Sequence, residues 1–203
     1  MADISTLRRS PLHDLAVRMR DEAVTGDRAV RLTERPFWDM VNLRVRPGSP
    51  AAERIERALG APLPASVGTT TQHDALTALW LGPDEWLLVS QTDDGALVDA
   101  LSPIAEVDHA QVVDVSANRT VLQLDGPGAR EVLEKGCPAD LHPRALADGT
   151  AITTSLARVP VLVWKVDAQQ FRVLVRPSFA AYVALWLLDA TQELGPGAGV
   201  ESD

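Results

Sequence analysis

Cysteine is nearly absent: Cys137 is the one thiol in 203 residues. No intrachain disulfide can form, and a single cysteine cannot build a structural zinc site. The four histidines, His13, His73, His109 and His142, are scattered, with no pair at metal-ligand spacing. No run approaches the roughly 20 apolar residues needed to span a bilayer. The opening stretch MADISTLRRSPLHDLAV has an early acid and no apolar segment long enough for a signal peptide. A cytoplasmic protein without membrane attachment is therefore expected. Basic charge is also short, with 19 Lys and Arg against 28 Asp and Glu and a net charge of -9. That average field repels a phosphate backbone and argues against generic nucleic-acid binding. Phosphate-binding glycine loops are missing as well. Gly126-Pro127-Gly128 offers only a turn, and its proline removes an amide that a phosphate would need. Ser155 and Ser178 lack the glycine elbow of a nucleophilic serine. No catalytic, cofactor-binding or metal-binding residue is assigned.

Hydrophobic residues make up 46% of the chain and charged residues 23%. That is ordinary for a soluble globular protein with one sizeable core. The residues repeat weakly in two halves. Val41–Val45, Pro47-Gly48 and a helix over Pro50–Leu59 open the first half. Thr120–Leu124, Pro127-Gly128 and a helix over Ala129–Lys135 open the second. Each helix has Pro near its first turn, Gly just past its end, at Gly60 and Gly136, and an i,i+4 acid–base pair, Glu53–Arg57 and Glu131–Lys135. Apolar hairpins follow, Ala78–Leu81 with Trp86–Ser90 and Val161–Val166 with Phe171–Val175. A helix ends each half. One covers about Asp94–Leu101 and is stopped by Pro103; the other covers about Ser178–Glu193 with Ser178 as N-cap. The expected fold is one α+β domain of two β-α-β-β-α halves over residues 35–194. An N-terminal arm, residues 1–34, precedes it, and a disordered glycine-rich tail, residues 195–203, follows.

Two segments point outward. In the arm, Leu12, Leu15, Ala16 and Met19 recur at helical spacing with no partner in their own segment. They must dock on the body of the protein or on another chain, and removal of Met1–Arg20 is expected to weaken assembly more than the fold. Arg8, Arg9, Arg18 and Arg20 in the same arm read as a solvated face. In the last helix, Val183–Leu188 is apolar almost all round, where a surface helix shows one stripe. It either packs on a partner as well as on its own sheet or lies deep in this domain. The candidate interface is Leu12, Leu15, Met19, Phe37, Trp38, Leu185 and Trp186. Trp80, Trp86 and Trp164 fall in the hairpins and are expected to fill the core. Asp114-Val115-Ser116 is read as a structural turn, because Asp and Ser bond nearby backbone amides.

The stretch DVSANRTVLQLDGPGAREVLEKGCPADLHP, from Asp114 to Pro143, carries a resemblance, together with LGPDEWLL at Leu81–Leu88 and VLVRPSF at Val173–Phe179. In order and total length these segments resemble the gamma subunit of heterotetrameric sarcosine oxidase, a relative of the folate-binding T-protein. The resemblance implies a pseudo-twofold T-protein-like core and an accessory, non-catalytic subunit with alpha, beta and delta partners. The complex so implied oxidatively demethylates sarcosine to glycine, with oxygen accepting electrons and tetrahydrofolate the one-carbon unit. FAD, FMN, NAD, tetrahydrofolate and zinc are then expected in the other subunits. Cys137 follows Lys135-Gly136 as a reactive cysteine does in another branch of the superfamily. Here Pro138-Ala139-Asp140-Leu141 comes next, where that branch has an aromatic residue and Gly-Gln-Glu, which counts against a catalytic thiol. A free-standing folate-dependent aminomethyltransferase is the alternative. It would need a longer chain and a catalytic aspartate, for which Val67–Leu81 supplies only Asp74. A scaffold on the same fold is the third reading.

Overall fold

Two five-stranded antiparallel sheets, packed face to face, carry helices on their outer sides in the computed structural model, which describes residues 8–92, 94–107 and 109–195. The strands are β1 (Arg31–Arg35), β2 (Asp39–Val45), β3 (Thr70–His73), β4 (Leu76–Gly82) and β5 (Glu85–Ser90), then β6 (Ala110–Asp114), β7 (Thr120–Asp125), β8 (Thr150–Leu156), β9 (Val159–Lys165) and β10 (Gln170–Val175). The helices are α1 (Ala16–Asp21), α2 (Pro50–Leu59), α3 (Ala96–Val107), α4 (Ala129–Glu134) and α5 (Pro177–Thr191). One sheet runs β3-β4-β5-β2-β6 and the other β1-β7-β10-β9-β8. The two orders correspond, so the pseudo-twofold α+β architecture is present. Each half holds two more strands than expected and reads β-β-α-β-β-β-α.

The central strands are apolar on both faces because both are covered. In β9, Val161 and Val163 join the core under α4 and α5, while Leu162 and Trp164 join the core between the sheets. In β7, Leu122 and Leu124 face the helices and Val121 faces the other sheet. A third core lies under α2 and α3 and includes Leu43, Ile55, Trp86 and Leu101. The buried Trp86 indole donates to the Pro64 carbonyl at 2.8 Å. Trp164 is buried as expected, and Trp80 packs half-buried against the α2–α3 core.

The edge strands are exchanged between the halves. Strand β1 leads into β2 along the chain but pairs with β7, in register from Arg31–Asp125 to Arg35–Val121. Strand β6 leads into β7 but pairs with β2. Each sheet is therefore completed by the segment that precedes the other sheet. Over the described residues from Arg8 onward, the N-terminal segment docks on the body of the protein, one of the two places expected for its apolar stripe. Leu12 is 0% exposed and Met19 3%, both in the core beneath α5. Glu34 on β1 accepts from the Ser10 hydroxyl at 2.6 Å and the Thr120 hydroxyl at 2.7 Å. The arm's apolar stripe is covered by its own chain, so removing Met1–Arg20 must open the core. The glycine-rich tail expected over residues 195–203 lies outside the described residues except at Gly195.

Helix boundaries differ where local signals compete. Ser49 caps α2 by accepting from the Ala52 amide, and Gly60 ends it at φ 71. Helix α3 runs through Pro103 and does not stop before it. Pro103 and Asp99 are both exposed, so the carbonyl that loses its donor lies on the solvent side and the proline is tolerated. Helix α5 starts one residue before the expected cap, with Arg176 extended at the N-cap and Pro177 in the first position. The i,i+4 pair expected in α4 is replaced by longer reach. Glu131 accepts from Arg28, and Lys135 donates to Glu193 at 2.8 Å and to the Ala190 carbonyl at 2.6 Å. Gly136 does not cap α4 in a left-handed conformation. It is a contact glycine, since a Cβ there would lie 2.5 Å from the Trp186 ring.

Candidate functional site

Helix α5 carries two apolar stripes. Ala180, Val183, Ala184, Leu187 and Leu188 repeat at the spacing of one helical face and are buried against the β1-β7-β10-β9-β8 sheet. On the outer side Phe179, Tyr182 and Leu185 are 43%, 51% and 39% exposed. They recur every three residues and form a ridge. Trp186 flanks that ridge half-buried, its ring on Gly136. The Tyr182 hydroxyl donates to the Ala157 carbonyl at 3.2 Å, in a β8–β9 turn where Ala157 and Arg158 both have positive φ. That bond ties the phenol of the helix to the β8–β9 turn.

The seven residues singled out in the sequence thus separate. Leu12, Met19 and Trp38 are buried within this chain, so their apolar surface is already spent on its own core. Leu15 packs partly buried on the same core. Phe37 is half-buried, at φ 60, with the Arg8 guanidinium 4.6 Å above its ring. Leu185 is exposed and Trp186 lies beside it. Phe179 and Tyr182 escaped notice as surface residues. Their signal was available once the inner stripe is subtracted from the helix, because what is left repeats at i, i+3 and i+6.

Two buried cations, Arg172 and Lys165, are internal fasteners. Arg172 lies between the indoles of Trp164 and Trp38, 4.5 and 4.9 Å from their ring centroids. Gln123 Oε1 accepts from both Arg172 and Arg35 at 3.3 Å, while its amide donates to Asp125 at 3.0 Å. Burial, and then the neighbouring Arg35, hold Arg172 below the ordinary arginine value, while Asp125 and Asp167 pull the other way. The group stays charged, and it joins β7, β10 and β9 to Trp38 across the space between the sheets. Lys165, 2% exposed, donates to the Leu146 carbonyl at 3.0 Å and pairs with Asp148 at 2.9 Å.

Other sequence features take structural roles. Asp114 accepts from the Ser116 hydroxyl at 2.6 Å and from its amide at 2.9 Å, and the Ser116 oxygen accepts from the Met40 amide. The Ser116 hydroxyl, then its amide, hold the Asp114 carboxyl below the usual carboxylate range. The turn pins β6 to β2. The Gly126-Pro127-Gly128 turn is glycine-rich for close packing. A Cβ at Gly126 would stand 2.2 Å from the Ala29 carbonyl oxygen, and one at Gly128 2.6 Å from that of Arg28. The turn is therefore covered by this chain's own backbone and does not fit a dinucleotide phosphate. Cys137 is buried with its Sγ 3.8 Å from the Thr154 hydroxyl. Among the described residues no group of three or more His, Cys, Asp or Glu is placed to hold a metal ion. No helix among them is long and apolar enough to cross a membrane.

With a complete core and an apolar ridge left outside it, comparison with known proteins becomes decisive. Residues 46–193 match the model of the sarcosine oxidase gamma subunit family. The chain belongs to that family. It is 47% identical over 194 residues to the sarcosine oxidase subunit gamma of Corynebacterium sp. strain U-96, covering 95% of this chain and 94% of that one. It is 42% identical, over the same shares, to the subunit gamma of an Arthrobacter species. A chain of the solved heterotetrameric sarcosine oxidase of Corynebacterium sp. U-96, in complex with pyrrole 2-carboxylate, superposes with a TM-score of 0.90. That match has 45% identity and covers 96% of this chain and 100% of that one. Family membership makes this protein a subunit of an oxidoreductase complex, with other subunits beside it. The glycine cleavage system aminomethyltransferase T of Bartonella henselae is alike in fold, with a TM-score of 0.62 at 17% identity. There the match covers 90% of this chain and 57% of that one. The T-protein-like core follows from these matches, and a free-standing aminomethyltransferase is not favoured.

Proposed function

We propose that this gamma subunit serves sarcosine oxidase by assembly and not by chemistry, and that its outer α5 ridge is the surface it offers to a neighbouring subunit. One observation carries the reading. Phe179, Tyr182 and Leu185 stay exposed on a chain whose own core is already filled from both ends. A contiguous apolar ridge on a subunit of a complex marks an interface. Tyr182 is the natural anchor, since its hydroxyl is already tethered to Ala157 and its ring loses little freedom on docking. In this reading the FAD, FMN, NAD, tetrahydrofolate and zinc groups of the complex belong to the alpha, beta and delta subunits. The covered Gly126–Gly128 turn and the internal pairing of Arg172 and Lys165 support that division. Oxidative demethylation of sarcosine is then the work of the assembled enzyme, in the cytoplasm. The chain purified alone should give no sarcosine-dependent peroxide, whereas the co-expressed set should. Turnover by the lone chain would overturn the accessory role.

A further inference from the structure

A cleft of about 300 Å³ opens where α5 begins, lined by Arg8, Arg9, Phe37, Arg119 and Pro177 among others. It concentrates positive charge on a chain whose net charge is -9. Arg119 is half-buried, and burial together with the like charge of Arg176 holds it below the ordinary arginine value. Among the described residues no carboxylate pairs with Arg119 or Arg176. Around the lining, Asp14 pairs with Arg9, Glu34 accepts from the Thr120 hydroxyl and Asp114 accepts from the Ser116 hydroxyl. Arg119 is partly desolvated and feels the like charge of the exposed Arg176, and an anion arriving between them relieves both costs. Phe37 adds an independent sign. It holds φ 60, a left-handed conformation that a bulky residue adopts only under constraint, and its ring walls the cleft beneath Arg8.

We infer that this cleft receives an acidic loop of a neighbouring sarcosine oxidase subunit, whose carboxylate sits between Arg119 and Arg176. The inference rests on the assembly reading above. Continuity selects a protein loop over a small anion. Pro177 walls the cleft, and Phe179, two residues on, begins the exposed ridge of α5. One partner surface with an apolar centre and an acidic margin covers both. On a chain of net negative charge an acidic margin is attracted to these arginines, which helps set the register of docking. Arginine suits the role, because its planar fork holds a carboxylate through paired N–H donors.

The test uses the co-expressed complex. Arg119→Glu with Arg176→Glu should weaken association of the gamma subunit at least about ten-fold at low salt, and the gap from wild type should narrow as salt rises. The melting temperature of the isolated variant should hardly move. In parallel, the Arg119→Lys complex is treated with a carbodiimide, which joins amines to carboxylates in direct contact. A mapped link from position 119 to an Asp or Glu of another subunit is expected. If wild type assembles and the double reversal assembles equally well, the inference fails while the assembly reading stands. If wild type does not assemble, both fail. Stabilisation of the isolated chain by citrate or inorganic phosphate, lost in the double reversal with assembly unchanged, would make the cleft a small-anion site and overturn the docking role.

Discussion

Leu12→Ala separates a structural arm from an assembly arm. Leu12 is 0% exposed and packs in the core that also holds Met19, Leu32, Leu124 and Leu188. Deleting a buried isobutyl group costs its transfer free energy and leaves a cavity, together about 2–5 kcal/mol. Chains of this size lose roughly 2–4 °C of melting temperature per kcal/mol, so the variant should melt about 4–20 °C lower than wild type. Leu185→Ala is the matched control. Leu185 is 39% exposed on the outer ridge, and its loss should move stability of the isolated chain by no more than about 0.5 kcal/mol. Thermal unfolding of the dilute isolated chain, followed by circular dichroism, reads both. The chain segment before β1 also supplies Ser10, which is bonded to Glu34, so loosening Leu12 should loosen the edge strand too. Equal melting temperatures for Leu12→Ala and wild type would show that the N-terminal segment is no part of the core, and the reasoning would be refuted.

Gly136→Ala should cost about 1–3 kcal/mol, because its Cβ would sit 2.5 Å from the Trp186 ring; tryptophan fluorescence and a urea titration would record the shift, and an unchanged midpoint would contradict the contact. Ser116→Ala should let the Asp114 carboxyl titrate nearer the ordinary value of about 4, as followed by NMR. A carboxyl held low in the fold contributes stability that is present above its unfolded value and lost as pH falls through its folded value. Wild type should therefore lose this contribution on acidification below the usual carboxylate range, and Ser116→Ala, which keeps only the amide bond, should have less of it at neutral pH. An unmoved Asp114 titration would remove the basis for both statements. Cys137→Ser should leave turnover of the assembled enzyme intact at a stability cost of about 1 kcal/mol, since the thiol is buried beside Thr154; loss of turnover in a folded complex would restore a chemical role.

The strands that escaped sequence reading share one property. β1 and β8 are the edges of one sheet, and β3 and β6 the edges of the other. Thr70–His73 is half-exposed to exposed along its length, and Arg31–Arg35 has only Leu32 fully buried. An edge strand pairs on one side and keeps polar residues on the other, so its alternation is weak and its partner is distant in the chain. Central strands such as Val159–Lys165 and Gln170–Val175 are buried nearly throughout, and their apolar runs were plain. The exchange of β1 and β6 is purely non-local and leaves no periodic trace. Pro103 was read as a stop because the rule concerns the helix backbone, whereas tolerance depends on which side faces solvent. At the candidate site, the α5 ridge was half legible. Its apolar excess was visible, but which stripe faced outward depended on where the sheet lay. Arg119 and Arg176 stand 57 positions apart, in segments that differ in character, and only the fold brings them together.

Native mass spectrometry of the co-expressed subunits tests the assembly role most directly. Wild-type chain should be retained in the complex, and a Tyr182→Asp, Leu185→Asp variant should be folded, as judged by its melting, yet missing from it. Retention of the double variant at wild-type stoichiometry, or a wild-type chain that stays a well-behaved monomer beside the other subunits, would contradict the account.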